Sequence, residues 1–357
     1  MKTLFEHKYE LVCEGGAAGH MAHPFDLPAV KAPIDIVKFF DNLTTALKKD
    51  EKAFMKIDGI NASVRLNSSG EFVLDRMSMK PLDVAGVTKA DLVDRFGAGH
   101  GFLTIGETVL DIFNEALPTI QTELKMLGMN GGTRMLNIEY VKGTTNVIET
   151  DKNFIAIHGL LDIIQATPKK RVTKEVSSYN KGMLNKLIEK VNVIAEKYGF
   201  EVYNQFLAML DAEPDYKKVL GGDVTICIDH KPEKKRLADW IMQSNPVSTD
   251  TVVISKTKGK VNAVSKYVLQ FVLGGGDIAD EFQGDIDLVL SGFLMYYTTM
   301  VLGAELLRCI NSDLGRGDSQ EGIVIRDNAL TGVDRPVKIT GDFILKGTAS
   351  RFNTTAE

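Results

Sequence analysis

Between residues 34 and 49, IDIVKFFDNLTTALKK places apolar side chains at 36, 37, 39, 40, 43 and 47. That spacing puts them on one face of a helix. The pattern then changes period. Ala62, Val64 and Leu66 alternate with polar residues, Ser-Ser-Gly follows, and Phe72, Val73 and Leu74 resume the apolar run. A β-hairpin is predicted there. A helix is predicted over 107–126, a strand in MLNIEYV (135–141) and a buried strand in NFIAIHGLLDII (153–164). From 176 to 312 the patterns are mostly helical, and strand texture returns in EGIVIRD (321–327) and PVKITGDFILKG (336–347). Residues 1–30, punctuated by Gly15, Gly16, Gly19, Pro24 and Pro28, read as irregular.

This order predicts an α+β fold in which a β-rich platform, 1–175 with 313–357, carries a mainly helical insertion of about 137 residues, 176–312. LVLSGFLMYYTTMVLGA (288–304) carries no charge. Its Ser, Gly, Thr and Tyr content and modest length predict a buried helix rather than a membrane span. The N-terminus, with Lys2, Glu6, His7, Lys8 and Glu10, lacks the apolar run of a signal peptide, so a cytoplasmic location is expected.

Composition narrows the function classes. The chain has 357 residues, 44% hydrophobic and 25% charged, which excludes a disordered or fibrous chain. Cys13, Cys227 and Cys309 are far apart, which argues against a disulfide framework or a Cys-rich zinc site. A net charge of -5 gives no global attraction for nucleic acid. Local basic tracks do exist: seven Lys/Arg in 168–190, with KPEKKR (231–236) and KTKGK (256–260). They are candidates for a polyphosphate or nucleic-acid track.

The chemistry-bearing residues are Lys56-Ile57-Asp58-Gly59-Ile60-Asn61, Arg76, Glu139, Glu321-Gly322 and Lys338. A lysine is a nucleophile only when it loses the proton held with a pKa of about 10.4. Lys56 lies where an apolar strand, Ala53-Phe54-Met55, meets a glycine turn. Glu139 and Glu321 sit in or beside apolar strands, where a carboxylate calls for a cation or metal partner. Lysines, an arginine and two carboxylates are the groups a phosphate–metal centre needs.

At these residues the sequence resembles the covalent nucleotidyltransferase superfamily, which comprises ATP-dependent DNA ligases, RNA ligases and mRNA capping enzymes. KIDG resembles its K-x-D-G nucleophile motif, NIEYVKG the strand-borne glutamate motif, EGIVIRD the E-G-hydrophobic-V motif and VKITG the last lysine motif. Arg76 lies at the position of the family's arginine-bearing motif, 76 − 56 = 20 residues after Lys56. The resemblance implies a ligase-type adenylation domain of antiparallel sheets with flanking helices. It implies ATP as substrate, Mg2+ or Mn2+ as cofactor and a lysyl-AMP at Lys56. AMP then passes to a 5′-phosphate end that a 3′-hydroxyl attacks, so the implied partner is nucleic acid, RNA before DNA. By carry-over, Asp58 belongs to the catalytic motif, Glu321 holds metal, Glu139 holds ribose or metal, and Lys338 holds the α-phosphate. Arg76 contacts ribose or the end phosphate. Met55, Ile57, Gly59 and Asn61 line the nucleotide, and Phe154 stacks on adenine, with His158 as the second candidate.

Three departures refine the placement. Asn61 stands where DNA ligases carry arginine, and G-x-N resembles the RNA ligase 2 and editing-ligase branch, although that branch often has His where this chain has Asp58. The last motif has Thr340 in place of its second lysine, for which Lys346 is the candidate substitute. With 357 − 346 = 11 residues after Lys346, no appended OB fold is expected. A DNA ligase, or an enzyme of this fold with a small-molecule, modified-base or protein acceptor, is the alternative; a non-catalytic binding relative has no need of Lys56. His20 and His23 suggest a loop flanking the nucleotide, or less readily a metal pair. GGGD (274–277) lacks the lysine of a P-loop.

Overall fold

The alternation that predicts the hairpin is the template for the larger sheet. The computed structural model describes residues 21–49, 53–57, 59–75, 86–98, 101–143, 152–167, 170–228, 231–244 and 286–341. In chain order its elements begin with α1 (Pro33–Leu47), β1 (Ala53–Lys56), β2 (Ile60–Leu66), β3 (Phe72–Asp75), α2 (Leu92–Phe96) and α3 (Gly101–Met126). Next come β4 (Arg134–Lys142), β5 (Asn153–Thr167), β6 (Lys170–Glu175), α4 (Lys181–Ala195), β7 (Glu201–Asn204) and β8 (Met209–Leu210). Then follow α5 (Tyr216–Leu220), β9 (Asp223–Ile228), β10 (Lys231–Arg236), α6 (Leu237–Gln243) and α7 (Ile286–Arg308). Last are β11 (Ile310–Ser312), β12 (Gly315–Arg316), β13 (Gly322–Ile325), α8 (Asn328–Thr331) and β14 (Val337–Thr340). The fold is α+β with antiparallel sheets, as the sequence predicts.

The described residues form two compact units, one within Ile57–Phe206, the other combining Met21–Lys56 with the chain from Leu207 onward. In the first, β3-β2-β4-β5-β6 pair antiparallel and β7 adds to β5 in parallel. One face of this sheet is apolar. Ala62, Val64, Leu136, Ile138, Tyr140, Ile155 and Ile157 bury against α3 and α4 in a single core cluster. The Asn114 side chain, on α3, brackets β3 by accepting from Phe72 N at 2.7 Å and donating to Phe72 O at 3.2 Å. Asn180 caps α4 by accepting from Met183 N at 3.1 Å.

α3 begins at Gly101, earlier than the predicted 107. Gly106 does not stop it, because a Cβ there would come within 2.9 Å of Leu74 and Leu92, so the absent side chain lets the helix settle closely. The two helices are tied by Lys190 Nζ donating to Glu123 at 2.8 Å. That bond holds the Glu123 carboxyl below its ordinary 4.5. A depressed folded pKa contributes stability that is whole above the ordinary value and lost as pH falls through the folded one. Glu123→Gln is therefore expected to lose melting temperature at pH 7 but to decline less steeply than the parent below about pH 4.5, the ordinary value printed for this group. Equal acid slopes in a pH series of thermal melts would refute the assignment.

In the second unit, β1, β13 and β14 form an antiparallel sheet in that order. Its core face is Ala53, Met55, Ile323, Ile325, Val337 and Ile339, all fully buried or nearly so. The uncharged stretch expected to be a buried helix lies in α7. Its Leu290–Arg308 segment is long and apolar enough to span a bilayer by length and composition alone, yet its apolar window is 78% buried in the protein. Gly303 lets α7 approach β14, since a Cβ there would lie 2.6 Å from Thr340 O. α1 packs on α7, and Thr44 Oγ1 meets Tyr216 Oη at 2.8 Å. Burial pushes the Tyr216 hydroxyl well above its usual range.

The described residues of 176–312 carry more helix than strand, but they are divided between the two units rather than forming one module. They contain β7 to β11 as well as helices. Of these, α4 and β7 belong to the six-stranded unit, while β8 and β11 pair with each other in the other unit, Ile310 opposite Leu210. Helical periodicity dominates this region by length, and short strands whose partners are distant in sequence leave no local signature.

Candidate functional site

Alternation puts Asn61, Ser63 and Arg65 of β2 on the face of the sheet opposite its helix-covered core. Register adds Asn137 and Glu139 of β4 and Asp75 of β3, because Asn61 pairs with Glu139, and Ser63 with both Asn137 and Asp75. These residues are polar, yet all but Asn61 are buried, Ser63 completely. A buried polar face needs internal partners.

Glu139 has them. Its Oε1 accepts from Gly59 N at 3.2 Å, and its Oε2 accepts from Asn61 Nδ2 at 3.1 Å and lies 3.4 Å from His158 Nε2. Gly59 is required for this arrangement, because a Cβ on it would lie 2.6 Å from Tyr140 O and 2.9 Å from Glu139 Cγ. His158 owes its aim to a β-bulge. Asn137 pairs with Gly159 and Ile138 with Ile157, so His158 is the extra residue.

Asn61 Nδ2 also donates to Asn137 Oδ1 at 3.1 Å and to Ile138 O at 3.2 Å. Further along the face, Arg65 Nε meets Asp75 Oδ2 at 2.5 Å, with both side chains only 3% exposed. Arg65 Nη1 also donates to Gly132 O at 3.2 Å.

In the second unit, Lys56 ends β1 opposite Gly322, and its Nζ forms an ion pair with Glu321 Oε1. Both residues are more than nine-tenths buried. Gly322 has φ +149°, and a Cβ on it would overlap Ile339 O. Only glycine permits that backbone beside Glu321. Val324 pairs with both Phe54 and Lys338, so alternation puts Lys338 on the same face as Lys56. The backbone of Lys338 donates to Ala22 O at 2.8 Å, so the loop containing His23 borders β14. His23 itself stacks on Phe25, with ring centroids 4.8 Å apart.

Most predicted site residues thus fall into two groups: Gly59, Asn61 and Glu139 in one unit, and Met55, Lys56, Glu321 and Lys338 in the other. Met55 points into the core, 1% exposed, as does Ile57 at 4%. Asp58, Arg76, Lys346 and His20 lie outside the described residues, as does GGGD. Phe154 is corrected: it is buried in an aromatic cluster, edge-on to Tyr203 and Phe206, with no face left for a base. His158, which borders Glu139, is the better placed of the two candidates.

Four residues of the basic tracks meet carboxylates, and KTKGK (256–260) lies outside the described residues. Lys190 meets Glu123, Lys234 meets Asp223, Lys235 meets Glu233 and Arg236 meets Asp239. Among the described residues no group of three or more His, Cys, Asp or Glu side chains is placed to hold a metal ion. Glu139 is surrounded by N–H donors, the environment of an acceptor rather than of a metal ligand. Glu321 fits Mg2+ better, because that ion commonly takes one or two carboxylates and completes its shell with waters and substrate phosphates.

Comparisons with family models, with curated proteins and with solved structures return no match. The functional assignment therefore rests on the chemistry of these residues. Sequence reasoning missed Asn137, Ser63 and the Arg65–Asp75 pair. Their signal was present as polar residues at alternate positions of β2 (61, 63, 65) and at 137 and 139 of β4.

Proposed function

We propose that this chain is an ATP-dependent nucleotidyltransferase of the polynucleotide ligase type, closer to RNA ligases than to DNA ligases, with Lys56 as its nucleophile. The observation that carries this reading is the burial of the Lys56–Glu321 pair at the end of β1, beside a glycine of unusual backbone. A lysine kept for solubility does not sit under cover against a carboxylate.

Lys56 Nζ loses a proton and attacks the α-phosphorus of ATP. The bond from that phosphorus to the bridging oxygen breaks, pyrophosphate leaves, and AMP remains on nitrogen. The AMP is then transferred to a 5′-phosphate end, and attack by a 3′-hydroxyl releases it. Lys338, on the Lys56 face of the sheet, balances phosphate charge. Mg2+ or Mn2+ held by Glu321 would supply further charge neutralisation. Glu139, fixed by Gly59 and Asn61, accepts from a ribose hydroxyl.

A second acceptor class is favoured by one observation. Lys190, Lys234, Lys235 and Arg236 each face a carboxylate, which lowers the net positive charge those four offer to a nucleic-acid track. A small molecule, modified base or protein then replaces the 5′-phosphate end.

The test is incubation with α-labelled ATP and Mg2+ or Mn2+. Acid-resistant label on the parent chain and none on Lys56→Ala is expected. An unlabelled parent, or label that persists in Lys56→Ala, sinks the reading. A chase with 5′-phosphorylated RNA, nicked duplex DNA and small acceptors selects the acceptor.

A further inference from the structure

The hydrogen bonds around Asn61 determine which way a second, unassigned carboxamide faces. Ile138 O can only accept a hydrogen bond. The end of the Asn61 side chain that meets it must therefore be its NH2 group, at 3.2 Å. The Asn137 atom 3.1 Å from that same NH2 must then be its oxygen. This turns the Asn137 NH2 group away from Asn61. It makes no hydrogen bond among the described residues, although Asn137 is only 6% exposed.

The cross-strand neighbour is polar as well. Ser63, opposite Asn137, is fully buried and its Oγ has no hydrogen-bond partner. The Asn137 NH2 group is thus left to donate to a ligand that reaches this face of the sheet. The Asn137–Ser63 row lies two residues beyond the Asn61–Glu139 row, about 7 Å along the strands. That is about the reach from a ribose held at Glu139 to its base.

Building on the nucleotide reading, we propose that Asn137 is a specificity-determining residue that donates a hydrogen bond to a ring nitrogen of the adenine base, its oxygen remaining anchored on Asn61. Adenine offers acceptor nitrogens at N1, N3 and N7, and the donor selects one of them.

The test compares equilibrium binding and lysyl-AMP formation for ATP and its 1-deaza, 3-deaza and 7-deaza analogues in the parent, Asn137→Ala and Asn137→Asp. The aspartate keeps the oxygen that anchors on Asn61 but removes the donor. In the parent, one analogue is expected to bind up to about tenfold more weakly than ATP, the worth of one neutral hydrogen bond. Both variants are expected to lose that discrimination and to treat this analogue and ATP alike. Discrimination retained in Asn137→Asp would leave Asn137 a structural anchor only and overturn the proposal, as would three analogues that bind like ATP in the parent. A parent that binds ATP with the predicted pattern but forms no lysyl-AMP supports the base contact and rejects the covalent chemistry. A parent that binds no ATP rejects both.

Discussion

Gly322→Ala is expected to destabilise the three-stranded sheet by about 3–5 kcal/mol, the upper range for a single substitution. Two costs add. At φ +149° a side chain meets its own backbone. The new Cβ would also overlap the carbonyl oxygen of Ile339, a backbone atom that cannot rotate aside. β13 is the central strand, paired with β1 on one edge and β14 on the other, so relief requires either pairing to shift. Either shift disturbs the register that places Lys56 opposite Gly322 and Lys338 opposite Val324. Urea denaturation read by circular dichroism measures the loss. An unchanged midpoint would mean that this backbone is not required.

The second large effect concerns Arg65 and Asp75. Asp75→Ala leaves a guanidinium 97% buried without its carboxylate, and breaking such a pair from one side costs about 3–5 kcal/mol. Arg65 keeps its bond to Gly132 O, which spares part of its hydrogen bonding but none of its charge. Replacing both residues by apolar side chains of similar volume removes the uncompensated charge. Arg65→Met with Asp75→Leu is therefore expected to recover most of the stability lost in Asp75→Ala. A double variant no more stable than Asp75→Ala would show that packing, not charge, dominates here.

Much of this architecture was legible along the chain because one face of the long elements is apolar and the other carries polar residues. The hairpin of β2 and β3, the strand β4 and the helices α1 and α3 carry clean periods of two or 3.6. β5 is different. Phe154 and Ala156 on one face and Ile155 and Ile157 on the other are all buried, so no alternation tells which way Phe154 points. Its placement in the core, rather than against a base, follows from Tyr203 and Phe206, which lie some fifty residues on and pack against its ring.

The candidate site was legible where unusual residues sit in apolar strands: Lys56, Glu139 and Glu321. What orients them was not. The bulge that turns His158 toward Glu139 depends on pairing with β4. Asn137 gains a role only from the register that sets β4 beside Asn61. Gly59 reads as a turn residue in sequence and Gly322 as part of the E-G motif, whereas the structure requires each for close backbone approach, to β4 and to β14 respectively.

The central claim is that Lys56 becomes covalently adenylylated. Intact-protein mass spectrometry after incubation with ATP and Mg2+, followed by peptide mapping, measures this directly. One AMP per chain, carried on Lys56 and absent from folded Lys56→Ala, is the predicted result. A folded parent chain that gains no mass, or an adduct mapped to another residue, would contradict it.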